Sequence, residues 1–331
     1  MDVVSSTALA KQKKVKLSSL LIVLLSLIIL ALVFFGWSYL HKINPVNNLI
    51  PFSISAESPP KYVFSVGIDR LDKPMAVVSD DKGQIYVADA GHKEIKVYDP
   101  NGTYLFSFGK GQLKAPFQMT YNSGEFWVAD PEQKKVQVFG SDGVLKQTFV
   151  QSPQNKNPNS KEDLIPVAVA VSDAEVYVAD TAAQQIKVYD KQGKELRSFG
   201  HPGNDKSGLS YPNALWLADS KVFVSDTNNA RIQIYSTKGE YLQTIDAKSS
   251  KTGPLAFPRG ITVMPKGQIL VVDVFSHMVR AFDPKGNELW TIGQLGVANS
   301  EFDFPNGIWL DKTGRLYVTD RENNRVQVFK F

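Results

Sequence analysis

The chain has 331 residues, 37 Lys and Arg against 33 Asp and Glu, and no cysteine, which excludes a disulfide framework and every thiolate-ligated zinc site. Residues 1–42 hold five lysines against Asp2 and account for the whole formal +4, so residues 43–331 balance 32 basic against 32 acidic groups. The sequence pI near 8.9 therefore belongs to the N-terminal segment and is no sign of a nucleic-acid partner, and none is expected of a domain placed outside the membrane.

Lys11, Lys13, Lys14 and Lys16 precede an uncharged run, 17–40, dominated by Leu, Ile, Val and Phe. At about 1.5 Å per helical residue this run spans a hydrocarbon core of about 30 Å, and it far exceeds the h-region of a cleaved secretory signal. The spacing predicts a transmembrane helix that acts as a signal anchor. The lysines keep the N-terminus cytoplasmic by the positive-inside rule, and Trp37 and Tyr39 stand where an outer aromatic belt belongs. The next stretch, 41–60, carries Pro45, Pro51, Pro59 and Pro60 among polar residues and reads as a semi-extended tether. The expected organisation is a cytoplasmic basic tail (1–16), a transmembrane helix (17–40), a linker (41–60) and a domain outside the plasma (cytoplasmic) membrane (61–331). Absence of cysteine fits an exported bacterial protein.

From Pro74 onward a unit of about 45 residues recurs six times. Each copy runs Pro-x-x-hydrophobic, a turn, an apolar pair with an aromatic residue, an Asp, and six residues later an aliphatic residue. The copies align on Asp89, Asp130, Asp180, Asp226, Asp273 and Asp320. In the first copy, alternation and turn residues predict strands at 75–79, 84–88, 94–98 and 103–108, with Gly83 and Gly102 in the turns. Four short antiparallel strands cannot bury a core alone, so the copies must stack, and the pattern is that of propeller blades.

The sixth copy stops at Phe331 after its third strand. A strand-like segment, Tyr62-Val63-Phe64-Ser65-Val66-Gly67, stands before the first copy and reads almost as Tyr104-Leu105-Phe106-Ser107-Phe108-Gly109 does. It is expected to complete the sixth blade and so remove the open sheet edges. The fold class predicted is all-β, a six-bladed propeller of four-stranded blades closed by an N-terminal strand, behind one transmembrane helix.

The strings DTNNARIQIY (226–235) and DRENNRVQVF (320–329), each preceded by a Pro-Asn or Pro-Asn-Gly opening, resemble the NHL repeat, and DAGHKEIKVY and DTAAQQIKVY follow the same frame. The resemblance spans about 270 residues and implies a six-bladed propeller of the TolB-like or NHL type. It implies a platform for binding and, in one branch, amidating-lyase chemistry with zinc held by three His. Of those ligand positions only His277 is matched here. Gluconolactonase- and paraoxonase-type propellers hold calcium near the axis with oxygen ligands, a role that Asn213 and Asn306 resemble and that Arg259 opposes. The resemblance leaves zinc or calcium open, while the residues themselves assign no cofactor and no complete catalytic set.

Three further readings concern single positions. The repeated Asp follows a strand and precedes a loop, where carboxylates fix turns by accepting N–H bonds. Trp216 and Trp309 are expected to pack between blades. The residues after each blade-opening Pro are expected to form one ring about the axis: Met75, Phe117 and Val167 as an apolar wall, then Asn213, Arg259 and Asn306 as a polar one. Arg259 offers a planar fork of donors for a carboxylate. The expected function is a membrane-anchored binding, scaffold or sensor module for a protein or peptide partner; a metal-dependent propeller enzyme is the alternative. An external protease acting on intact cells or right-side-out vesicles should cut the polar insertion 151–163, and protection of that segment until the membrane is permeabilised would overturn the outward orientation.

Overall fold

A computed structural model describes residues 58–152 and 163–331. The basic tail 1–16, the apolar segment 17–40 and the linker up to residue 57 lie outside the described residues. Among the described residues no helix is long and apolar enough to cross a membrane.

The described chain forms six four-stranded antiparallel sheets. Blade 1 consists of Pro74–Ser79, Ile85–Asp89, Glu94–Tyr98 and Tyr104–Phe108; blade 2 of Gln118–Asn122, Glu125–Asp130, Lys135–Gly140 and Leu145–Gln151. Blade 3 consists of Pro166–Val171, Glu175–Asp180, Gln185–Asp190 and Glu195–Phe199; blade 4 of Pro212–Ala218, Lys221–Asp226, Arg231–Ser236 and Tyr241–Ile245. Blade 5 consists of Pro258–Val263, Ile269–Asp273, Met278–Phe282 and Glu288–Ile292. Blade 6 takes Pro305–Leu310, Arg315–Asp320 and Arg325–Lys330 from the end of the chain and Lys61–Val66 from its beginning.

The closing strand pairs antiparallel with Arg325–Lys330, with Tyr62 opposite Phe329 and Val66 opposite Val326. Tyr62 and Phe329 also meet edge to face at 6.0 Å. The last strand of the chain is thus an interior strand of its blade, with partners on both sides.

Burial explains why the middle strands read as continuous apolar runs rather than as an alternation of apolar and polar residues. Each blade is covered on both faces, as in sheets sandwiched between two layers. Tyr86 and Ala88 enter a cluster shared with Phe126 and Val128 of blade 2, whereas Ile85 and Val87 enter one shared with Val326 and Val328 of blade 6. The same division recurs in blade 5, where Leu270 and Val272 face blade 6 and Ile269 and Val271 face blade 4. The core is therefore six wedges between neighbouring blades.

Each repeated Asp is the last residue of its second strand and is 0 % exposed. It accepts a backbone N–H from the segment leading into the same blade, at 2.6–3.0 Å: Asp72 to Asp89, Lys114 to Asp130, Ile165 to Asp180, Ser210 to Asp226, Phe257 to Asp273 and Asp303 to Asp320. A cationic or amide side chain completes each carboxylate: Lys96, Gln133, Lys187, Arg231, Arg280 and Arg325. Such pairs satisfy buried charge that would otherwise be costly. The structural reading of the Asp series holds, with one change: the main amide comes from the loop entering the blade, not only from the turn that follows the Asp.

The insertion between blades 2 and 3 is narrower than its sequence implies. Gln151 belongs to a strand, and Ser152 and Lys134 both bond Asp163, at 3.0 and 2.7 Å. Residues 153–162 between these fixed ends lie outside the described residues.

Closure yields a direct stability test. Deleting 61–67 from the full chain removes the pairing partner of Arg325–Lys330 and should cause aggregation or a large drop in Tm, whereas deleting 43–55 should leave Tm unchanged. Equal melting of the two truncations would contradict the ladder.

Candidate functional site

Five of the blades open with a Pro paired across to the repeated Asp: Pro74 with Asp89, Pro166 with Asp180, Pro212 with Asp226, Pro258 with Asp273 and Pro305 with Asp320. Immediately after each Pro the register shifts, so one extra residue is accommodated. Bulges of this kind take residues out of the alternating pattern and re-aim side chains. The ring positions Met75, Val167, Asn213, Arg259 and Asn306 fall on them. Blade 2 differs: its inner strand starts at Gln118, and Phe117 precedes it, donating its N–H to the carbonyl of Ala129.

Met75, Phe117, Asn213, Arg259 and Asn306 line one axial cavity of about 30 Å³. Val167 is not part of that lining and is buried in the cluster between blades 3 and 4, where Phe117 packs against it. The cavity is narrow because glycines bring the inner strands together. A Cβ on Gly307 would stand 2.7 Å from the carbonyl oxygen of Met75, and one on Gly260 would stand 2.5 Å from that of Asn306. A space of this size admits a water but no ligand, so recognition at the ring must be made from the face above it.

That face is organised by Arg259. Its Nη1 donates to Oδ1 of Asn306 at 2.5 Å, and Nδ2 of Asn306 donates to the carbonyl of Met75 at 2.7 Å. The guanidinium lies over the rings of Phe117 and Phe257, at 5.6 and 5.2 Å from their centroids. No carboxylate pairs with it among the described residues, and its Nε–H is buried without a partner. Burial, and next the charge of Arg321, push the guanidinium down to about 10. Arg321 is held through Nη1 by Glu322 at 2.8 Å, and its Nε–H also lacks a partner. Two guanidinium groups thus share one region with donors left over. Asn213 is buried and has no side-chain hydrogen bond among the described residues.

Around the arginines stand aromatic side chains from blades 5 and 6. Phe257 stacks on Phe275 at 4.5 Å, and Phe275 meets Phe304 edge to face at 6.1 Å. Phe275 is 57 % and Phe304 36 % exposed, so the cluster presents apolar surface to solvent. His277 closes it, its ring 5.0 Å from that of Phe304 and its Nδ1 accepting the Phe304 N–H at 3.3 Å.

These surroundings do not fit a metal. The Asn306 oxygen is taken by Arg259, a fixed cation occupies the same level, and His277 spends Nδ1 on a backbone amide. His92 and His201 bond Asp89 and Asp205 in other loops. Among the described residues no three His, Asp or Glu side chains converge as ligands.

Trp216 packs against the cluster between blades 4 and 5 and Trp309 against the clusters that flank blade 1, as expected, and both also reach the axis. They meet each other edge to face at 5.3 Å and line the axial cavity from below. Arg321, Phe275 and the aromatic residues before Pro were not among the residues singled out from sequence. One signal for them was present, since Tyr211, Phe257 and Phe304 each precede the opening Pro of blades 4, 5 and 6.

Comparison with known proteins agrees with this architecture. Residues 302–329 match the NHL repeat family. The sixth unit is an NHL repeat. No curated protein sequence matches the chain. Among solved structures, catalytically inactive virginiamycin B lyase from Staphylococcus aureus with quinupristin is similar at 14 % identity and a TM-score of 0.56, covering 81 % of this chain and 98 % of its own. A chain of the nidogen/laminin complex is similar at 16 % identity and 0.55, covering 66 % and 79 %, respectively. A structural genomics protein of unknown function from Bacteroides thetaiotaomicron reaches 0.60 at 16 % identity, covering 78 % and 70 %. At these identities the likeness concerns the fold.

Gly307→Ala tests the tight axis. Its Cβ would meet backbone atoms of blade 1, which cannot swing aside, so the variant should lose about 1–3 kcal/mol in denaturant titration. Unchanged stability would mean that the inner strands are looser than described.

Proposed function

We propose that this protein is a membrane-anchored, extracytoplasmic NHL-type binding module whose face around Arg259 receives a carboxylate-bearing, partly apolar segment of a protein or peptide. Residues 17–40 serve as the anchor and the propeller lies outside, as a scaffold or sensor. The observation that carries this reading is Arg259 itself: a largely buried guanidinium with no carboxylate partner, a free N–H, and a second arginine beside it. Like charges in a poorly solvated region disfavour each other, and an incoming carboxylate would relieve that cost through charge-assisted bonds to both groups. The exposed Phe275 and Phe304 supply the apolar contact next to it, an arrangement of charged centre and aromatic anchors common to peptide-binding surfaces. The similar chain in the nidogen/laminin complex supports the use of such a propeller in assembly between proteins. The alternative, a propeller enzyme like the lyase, has no constellation of residues among the described residues to argue from.

The test compares peptides ending in an apolar residue with a free carboxylate and their C-terminal amides, using the full-length protein in detergent. Free acids should bind, amides should bind roughly tenfold more weakly or not at all, and Arg259→Ala should impose a loss of the same order with the fold intact. Because the Arg259 guanidinium is lowered to about 10, its charge is present below that value, and capture should fall as pH rises through it. Wild-type binding by Arg259→Ala, Asn213→Ala and Asn306→Ala together would sink the proposal.

A further inference from the structure

At the far end of the inner strands from the arginine ring, the turns of blades 1, 2 and 6 surround a second cavity of about 450 Å³. This falls in the size range of small-molecule sites. Its inner wall is aromatic: Trp216 and Trp309, set at 66° to each other, and Tyr121. The Trp309 indole is locked by its Nε1–H bond to Oγ of Ser79 at 3.0 Å, and the Tyr121 hydroxyl donates to Oδ2 of Asp81 at 3.0 Å. The aromatic wall is therefore pre-set.

The rim is acidic, with Asp80, Asp81 and Asp311 against Lys312 as its one basic residue. Asp80 and Asp311 are held by the turns they cap, through the N–H groups of Gln84 and Arg315, and by the hydroxyls of Tyr86 and Tyr317. Lys312 pairs with Asp81 at 2.7 Å and holds the Asp81 carboxyl below its ordinary range, so that carboxylate stays charged. With three carboxylates and one ammonium the rim carries net negative charge beside indole and phenol rings, whose faces are themselves the negative side of the π-quadrupole.

We infer that this cavity is a binding site for a small organic ammonium ion, a quaternary or protonated amine whose alkyl groups rest on Trp216, Trp309 and Tyr121 while the carboxylate rim balances its charge. Aromatic enclosure with nearby carboxylates recognises such cations through cation–π attraction and partial desolvation. The two Trp side chains also line the upper cavity, so they separate a cationic mouth from an anionic one. The inference is independent of the reading of the Arg259 face.

Choline and its uncharged isostere 3,3-dimethylbutan-1-ol are the probes, titrated into the full-length protein in detergent and followed by calorimetry and tryptophan fluorescence. Choline should bind saturably, the neutral isostere roughly tenfold more weakly, and Asp81→Asn, at an exposed position, should weaken choline several-fold without changing Tm. Trp216→Leu should abolish the response; should that variant fail to fold, the isostere and Asp81→Asn still decide. No saturable choline binding, equal binding of the neutral isostere, or tighter binding of an uncharged sugar than of choline would overturn the assignment.

Discussion

Every other feature of this molecule depends on the main-chain ladder between Lys61–Val66 and Arg325–Lys330. Blades of this length bury apolar surface only against neighbours, so an open row of six would leave two exposed faces, and without Lys61–Val66 the last blade would end on the unpaired edge of Arg325–Lys330. Joining the beginning of the domain to its end turns the row into a ring. Both faces of all six blades are then covered, and the core can be divided among six inter-blade wedges without a central hydrophobic mass. Because the wedges occupy the spaces between blades, the axis is free to hold polar groups.

Within the ring, position is fixed by the buried Asp of each blade. A carboxylate at the end of the second strand ties down the amide of the segment entering the same blade, and a Lys, Arg or Gln side chain completes it. The entry loops, which carry Tyr211, Phe257 and Phe304, are therefore anchored within a residue or two of the functional face. Side chains presented from such loops lose little further freedom on binding, a condition under which modest surface area still gives useful affinity.

The blade count, the closing strand and the role of the Asp series were legible because each is written as a period. Turn glycines, apolar runs and the Asp recur at a spacing that local physics can interpret, and the terminal segment 62–67 repeats a strand already seen at 104–109. The axial residues were legible as positions but not as a geometry. Nothing in Pro-Arg-Gly or Pro-Asn-Gly states that a bulge follows the proline, or that Gly260 and Gly307 draw neighbouring backbones together until about 30 Å³ remains. Phe275 and Arg321 follow the second strands of blades 5 and 6, a different part of the repeat from Arg259, and the packing of loops within blade 5 and of blade 6 against it makes them neighbours. Trp216 and Trp309, from blades 4 and 6, meet because the ring brings their inner strands to one axis.

The bulge after the opening proline separates two kinds of information in the chain. Residues in the strict two-residue alternation are committed to the wedges, and exchanging them means repacking a core. The bulged residue lies outside that alternation, so its identity is set by what faces the axis and not by what the blade needs in order to stack. Met75, Asn213, Arg259 and Asn306 thus form a nearly independent alphabet written on a constant chassis, with Val167 as the exception, since it packs into the cluster between blades 3 and 4. A propeller of this design can acquire a new ligand through a handful of substitutions at sites far apart in sequence, while the architecture that displays them is left as it was.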